Sequence, residues 1–258
     1  MKLACCAYSY RELLSDGEMT MEDFLDTCAE LGFDGAELTQ YYFPEETDEY
    51  LYHLKREAFV RGLDVCGSAV GGNFSNADAD KRREQIQHVK DWLVKSGKLG
   101  APCMRVFAGP QPEGVDLETA RDWVRDGLAE CAKVGADSGA VLALESHGGL
   151  TGDADGCLAL LEPFKENPWV GMNLDFGNFR GEVYEQYVRC APLAVTTHAK
   201  VTAKMDDEPQ EIDYRQVVRI MREADFDGYL SIEFEEPEDP VFGVDRFAAY
   251  LRGCIEDA

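Results

Sequence analysis

Four ionisable residues, far apart in the chain, each close an apolar run. Glu145 ends Val141-Leu-Ala-Leu-Glu, Asp175 ends Met172-Asn-Leu-Asp, His198 ends Val195-Thr-Thr-His, and Glu233 ends Leu230-Ser-Ile-Glu. Each alone has an ordinary explanation. A carboxylate after a strand is usually a helix N-cap or a solvated loop residue, and a lone histidine usually hydrogen-bonds in a partly buried place. Four of them on four successive strand ends are hard to explain that way. Gathered on one rim, three carboxylates and an imidazole would repel one another; a divalent cation would relieve that repulsion and take all four as ligands. The set suits Mn²⁺, Mg²⁺, Co²⁺ or Zn²⁺.

Side chains alternate along a strand, so the residue two positions on shares the same side. His147 stands in this relation to Glu145. It could shuttle a proton, hold a substrate hydroxyl, or only orient Glu145 or the loop. Lys200 stands in the same relation to His198, where an ammonium could polarise a carbonyl, bind an anion or simply pair with the acids. Glu37 and Arg105 end two earlier runs and are candidates for substrate contact, with an internal ion pair as the ordinary alternative. Tyr8, Tyr41, Tyr42, Phe74 and Phe107 lie at or just past run ends and are candidates for an apolar pocket wall. His53 and His88 fall inside helical patterns, where a surface or packing role is expected.

These residues need a scaffold that brings strand ends together. Apolar or β-branched runs begin near Leu3, Gly35, Leu63, Cys103, Val141, Val170, Ala194 and Tyr229. Amphipathic stretches lie between them: Met21–Leu31, Asp48–Arg61, Lys81–Leu99, Leu117–Ser138, Asp213–Ala224 and Pro240–Cys254. Met21, Phe24, Leu25 and Cys28 form the one-sided stripe of a helix that covers a sheet. Gly32, Gly62, Gly100 and Gly139 are placed to cap helix ends. Strands alternating with helices imply parallel pairing. Eight such units in 258 residues fit an α/β fold of the (β/α)₈ TIM-barrel type, a single domain over 1–258, whose strand ends converge on one mouth. An open doubly wound sheet would show a glycine-rich turn after the first strand; here that strand runs into Ala7-Tyr8-Ser9-Tyr10.

Several segments resemble one family. They are Leu31-Gly-Phe-Asp-Gly-Ala-Glu-Leu38, Arg105-Val-Phe-Ala-Gly109, Leu144-Glu-Ser-His-Gly-Gly149, Leu174-Asp-Phe-Gly-Asn178, Thr197-His-Ala-Lys200 and Ser231-Ile-Glu233. Over essentially its whole length the chain resembles the sugar phosphate isomerase/epimerase superfamily, the xylose isomerase-like barrels. The resemblance implies one catalytic divalent metal held by Glu145, Asp175, His198 and Glu233, with Glu145 and Glu233 also exchanging the proton. It implies an isomerase or epimerase of a sugar, sugar phosphate or polyol ketone, working through a metal-stabilised enediolate. A lyase acting on an inosose or a dehydroshikimate-like acid would use the same ligands, and a non-catalytic sugar-binding barrel is the remaining alternative. Asn178 is a candidate substrate contact: it stands where the ketose 3-epimerases carry a histidine that touches substrate. The similar apurinic endonucleases hold three zinc ions with extra histidines, and this chain has none in those regions.

Composition narrows the partners. Fifty acidic residues against twenty-five basic ones give a net charge of −25, the opposite of a nucleic-acid footprint. No apolar run approaches the ~18 residues of a membrane span, and no signal-peptide core follows Lys2. Nine cysteines without a CxxC pair point to a reducing compartment, so a cytoplasmic location is expected. The segment Val201–Ile212, with Asp206, Asp207, Glu208 and Glu211, reads as a solvated lid that disfavours a phosphate. The expected partner is a small carbohydrate, without nucleic acid or membrane, and the resemblance leaves room for a homo-oligomer.

Overall fold

The computed structural model describes residues 1–206 and 208–257; Asp207 of the acidic segment and Ala258 lie outside the described residues. Eight parallel strands close into a barrel: β1 (Lys2–Cys6), β2 (Gly35–Thr39), β3 (Asp64–Ala69), β4 (Cys103–Val106), β5 (Val141–Glu145), β6 (Val170–Asp175), β7 (Ala194–Ala199) and β10 (Tyr229–Ile232). Closure is direct, with Lys2 opposite Tyr229 and Cys5 opposite Ile232. Two strands begin one residue away from their apolar runs, at Lys2 and Asp64. The other six begin where the runs do.

The helices follow from one-sided apolar stripes and good caps. Among them are α2 (Met21–Glu30), α3 (Asp48–Val60), α4 (Ala79–Leu99), α5 (Leu117–Ser138), α8 (Tyr214–Glu223) and α9 (Pro240–Asp257). Thr20 and Asp23 form a reciprocal capping box on α2, while Asp78, Asp116 and Asp213 cap α4, α5 and α8. Gly100 and Gly139 close α4 and α5 in the left-handed conformation, at φ 85° and 73°, where any β-carbon would be strained. Two shorter helices, Ala154–Leu161 and Val183–Cys190, have no counterpart among the stretches expected from the sequence. No helix among the described residues is long and apolar enough to cross a membrane.

The pleat sorts each strand between two cores. Leu38, Met104, Leu144, Met172, Leu230 and Ile232 are fully buried and belong to the apolar layer between strands and helices, each contributing about 1.5–3 kcal/mol of burial. The alternate residues face the barrel axis. Near the mouth Cys6, the last residue of β1, approaches Thr39 Oγ1 at the end of the neighbouring β2 at 3.6 Å. All nine cysteines are buried and free.

The acidic segment after β7 differs from the expected loop. It is an antiparallel ribbon, β8 (Thr202–Met205) paired with β9 (Glu208–Glu211). Thr202, Lys204 and Glu208 alternate with Ala203, Met205 and Pro209, and only Ala203 among these is buried. A short ribbon with one inward residue needs little apolar content, which is why its composition read as a loop.

Candidate metal centre at the barrel mouth

Glu145 is the last residue of β5, Asp175 the last of β6, His198 the penultimate residue of β7, and Glu233 follows β10 directly. The pleat turns all four to the axis. His198 and Asp175 are completely buried, and Glu145 and Glu233 are 2% and 5% exposed. His198 Nδ1 lies 3.6 Å from Glu145 Oε2, 3.7 Å from Asp175 Oδ2 and 3.5 Å from Glu233 Oε1. Three carboxylates therefore converge on one imidazole nitrogen.

The other imidazole nitrogen is accounted for. Nε2 sits 3.0 and 3.1 Å from the two oxygens of Glu37. An ionised carboxylate only accepts, so Nε2 carries the proton there and Nδ1 faces the acids. Ser231 donates to the same carboxylate at 2.8 Å. Glu145 is held from three sides: Arg105 Nε at 3.0 Å, Asn173 Nδ2 donating at 3.2 Å, and Asn178 Nδ2 donating at 3.3 Å. Lys200 Nζ stands 3.3 Å from Asp175, 3.1 Å from Glu233 and 2.6 Å from Glu235. Gly177 N–H donates to Asp175 Oδ1 at 2.7 Å.

These surroundings drive the two glutamates apart. Burial lifts Glu145 to about 8 against the pull of Arg105 and His198. Burial would lift Glu233 too, but His198, Lys200 and Arg105 outweigh it and hold this carboxyl at about 2. For His198 burial works downward, and Glu233 and Glu37 overcome it, raising the imidazole well above its ordinary value. His147, at the mouth, is lowered by burial and by Arg105.

The cluster has features that fit a divalent cation. Asp175 Oδ2 is buried without a hydrogen-bond partner, the nearby Lys200 ammonium making an ionic contact but no hydrogen bond. A buried carboxylate oxygen left unpaired is costly. This one faces a nitrogen and two further carboxylates, with Glu145, Asp175 and His198 offering ligand atoms all within 4.8 Å of one another. Such an oxygen-rich set matches hard or borderline dications. The Nε2–Glu37 hydrogen bond is the usual support for a metal-binding histidine.

A sequence profile of the xylose isomerase-like TIM barrel family matches residues 25–254. The chain belongs to that family. Comparison with curated proteins finds no sequence match. Solved structures similar to this xylose isomerase-like barrel include protein SMc04130 from Sinorhizobium meliloti 1021, with TM-score 0.80, 20% identity, and 99% and 98% of the two chains covered. A D-psicose 3-epimerase from Clostridium cellulolyticum H10, determined with D-tagatose, gives 0.77 at 17% identity over 99% of each chain. The probable 3-DHS dehydratase AsbF from Bacillus anthracis gives 0.75 at 17% identity, again over 99% of each. At these identities the likeness is one of fold.

Within this barrel the remaining candidates take definite places. Arg105, His147 and Lys200 line a mouth pocket of about 190 Å³ together with Tyr8, Tyr41 and Phe107. His147 packs its ring on Phe107 at 4.2 Å and makes no side-chain bond to Glu145. Asn178 bridges the walls, donating to Glu145 and standing 3.5 Å from Lys200 Nζ. Two expectations need correcting. Glu37 is buried beneath His198, away from the pocket lining, and the internal pair of Arg105 is with Glu145 rather than Glu37. Phe74 is core, fully buried against Gly127, and Tyr42 lies outside this pocket. His53 is on the surface, 3.0 Å from Glu22.

Three residues escaped the sequence reading: Asn173, Ser231 and Glu235. Asn173 and Ser231 stand two positions before Asp175 and Glu233, and Glu235 two positions after Glu233. The spacing that singled out His147 and Lys200 would have found all three.

Proposed function

We propose that this barrel is a divalent-metal-dependent isomerase or epimerase of a sugar or related polyol ketone. The observation that carries this reading is the convergence of Glu145, Asp175 and Glu233 on His198 Nδ1, with an Asp175 oxygen that accepts no hydrogen bond among them. Glu145, Asp175, His198 and Glu233 would hold one cation, of Mn²⁺, Mg²⁺, Co²⁺ or Zn²⁺ character. Bound there, it would supply Lewis-acid stabilisation for the negative charge that develops on a hydroxy-ketone when a carbon-bound proton leaves.

The chain's own groups divide the remaining work. Glu145 and Glu233, on strands separated by β6 and β7, are the proposed pair that removes and returns the proton. Arg105, Asn173 and Asn178 fix the Glu145 carboxylate, so its reach toward a substrate carbon is set by the scaffold. Lys200 is placed to hold a substrate oxygen, and the unpaired ring of His147 to meet a hydroxyl at the rim. Tyr8, Tyr41 and Phe107 supply the apolar side on which a sugar ring can lie.

The test has two stages. Dialysed wild type and Glu233→Gln are compared by elemental analysis, before and after loading with Mn²⁺. About one equivalent in the wild type and loss in the variant is the expected result. Loaded wild type is then incubated with ketoses and polyol ketones in D₂O. Deuterium at a single carbon marks the proton transfer, whereas new ultraviolet absorbance marks elimination and the lyase alternative. No retained metal after loading overturns the reading.

A further inference from the structure

The mouth holds acid in excess of what a metal site needs. Glu235 is not among the four converging residues, yet it lines the pocket and takes the shortest contact that Lys200 makes, 2.6 Å. Among the described residues lining the pocket, each cation already has its carboxylate: Arg105 has Glu145, and Lys200 has Glu233 and Glu235. The next cation outward, Arg11, donates to the Phe234 carbonyl at 2.9 Å and lies over the Tyr8 ring. Within the pocket itself no described positive group stands without a carboxylate partner.

A second observation points the same way. Barrel enzymes commonly seat a substrate phosphate in the loops after their last two strands. Here those loops carry Glu208 and Glu211 on one side and Glu235, Glu236, Glu238 and Asp239 on the other. The hollow beside the mouth, about 110 Å³, is lined by Glu12, Glu235, Glu236 and Glu238 with Arg11 the single cation. A phosphate in this hollow would face four carboxylates and one guanidinium, and like-charge juxtaposition is an effective means of rejecting a ligand.

We propose that Glu235 is a specificity-determining residue that, paired with Lys200, restricts this site to uncharged polyhydroxy ketones and excludes phosphorylated and carboxylated ones. The inference rests on the proton-transfer reading above and narrows its substrate class. The pair offers a donor and an acceptor side by side, which suits adjacent hydroxyls, each both donor and acceptor. A phosphate or carboxylate, a stronger acceptor than a hydroxyl, would compete with Glu235 for Lys200 and set its own negative charge against that carboxylate.

The test uses Mn²⁺-loaded wild type, Glu235→Gln and Glu236→Gln. The panel is free ketohexoses, their 1- and 6-phosphates, and a polyhydroxy cyclohexanone carboxylate. Deuterium uptake from D₂O and calorimetric binding are both read. In the wild type the uncharged ketones are expected to win by about 100-fold, and in Glu235→Gln that margin falls to about tenfold. Glu236→Gln, which removes the same charge one residue away, keeps the wild-type margin. Wild-type preference for a phosphate or carboxylate overturns the inference while leaving the proton-transfer reading intact. An equal effect of Glu236→Gln overturns the role of Glu235. Absence of exchange into every compound overturns the functional reading, and the inference falls with it.

Discussion

The two halves of the barrel wall do different work. Strands β5, β6, β7 and β10 end in the converging donors Glu145, Asp175, His198 and Glu233. In the other half, β1 to β4, Cys6 ends β1, Glu37 lies on β2 and Arg105 on β4. Two of these are charged, and each reaches across to a donor: Glu37 to His198 Nε2 at 3.0 Å and Arg105 to Glu145 Oε2 at 3.0 Å. Above them the first half contributes the aromatic wall of Tyr8, Tyr41 and Phe107. One half therefore holds the groups proposed for metal binding and proton transfer, and the other orients them and shapes the space. Burying a charge is tolerable only when an opposite charge is held against it in good geometry, so the donor half depends on the first half to exist in this form.

The largest effect should come from the donor half. Glu233→Gln removes a converging carboxylate and is expected to abolish Mn²⁺ retention and to lower turnover by at least ~10³-fold, with the circular dichroism of the folded barrel kept. Metal content and exchange rate check this together; a variant that keeps both would remove Glu233 from the centre. The orienting half should give a smaller, graded effect. Glu37→Gln leaves an acceptor for Nε2–H but takes away its charge, and Mn²⁺ affinity should fall by about 10- to 100-fold. Titration of metal into the chelated protein measures it. An unchanged affinity would mean that Glu37 serves only the stability of the barrel.

The aromatic wall should matter less again, and for substrate rather than metal. Phe107 supports the Arg105 guanidinium at 4.2 Å and the His147 ring at 4.2 Å. Phe107→Ala is expected to raise KM about tenfold, the loss of one stacking face, while changing kcat little and leaving Mn²⁺ affinity as it was. Should metal affinity fall as far as in Glu37→Gln, the division of labour between the halves would collapse.

How much of this was legible in the sequence follows the same division. The barrel could be read because parallel strands buried on both faces appear as apolar runs, and the helix ends carry glycines with positive φ at residues 32, 62, 100 and 139. The donors could be read because each terminates such a run. The orienting contacts could not. That Arg105 meets Glu145 and not Glu37 follows from strand neighbourhood: β4 pairs with β5, whereas β3 stands between β4 and β2. Which buried charge pairs with which leaves no mark in composition. Asn173, Ser231 and Glu235 are a different case, since the two-residue period that placed His147 and Lys200 extends to them in both directions along their strands.

The finest distinction lies inside the donor half, between groups that bind and groups that only make room. Gly177 lies in the turn that follows β6, two residues past Asp175, beside the Lys200 side chain. A β-carbon there would stand 2.5 Å from Lys200 Cδ, 2.8 Å from its Cβ and 3.0 Å from its Cγ. The glycine is thus the bed on which the lysine stem lies while its ammonium reaches Asp175 and Glu233. Gly177→Ala should cost about 1–3 kcal/mol in urea unfolding, the usual penalty of one extra carbon in a filled place. In a Lys200→Ala background most of the opposing atoms are gone, and the same substitution should cost less than about 1 kcal/mol, a coupling that a double-mutant cycle isolates. Equal costs in both backgrounds would show that Gly177 is needed by the backbone rather than by Lys200. Unequal ones would tie the lysine's position to a residue that carries no chemistry of its own.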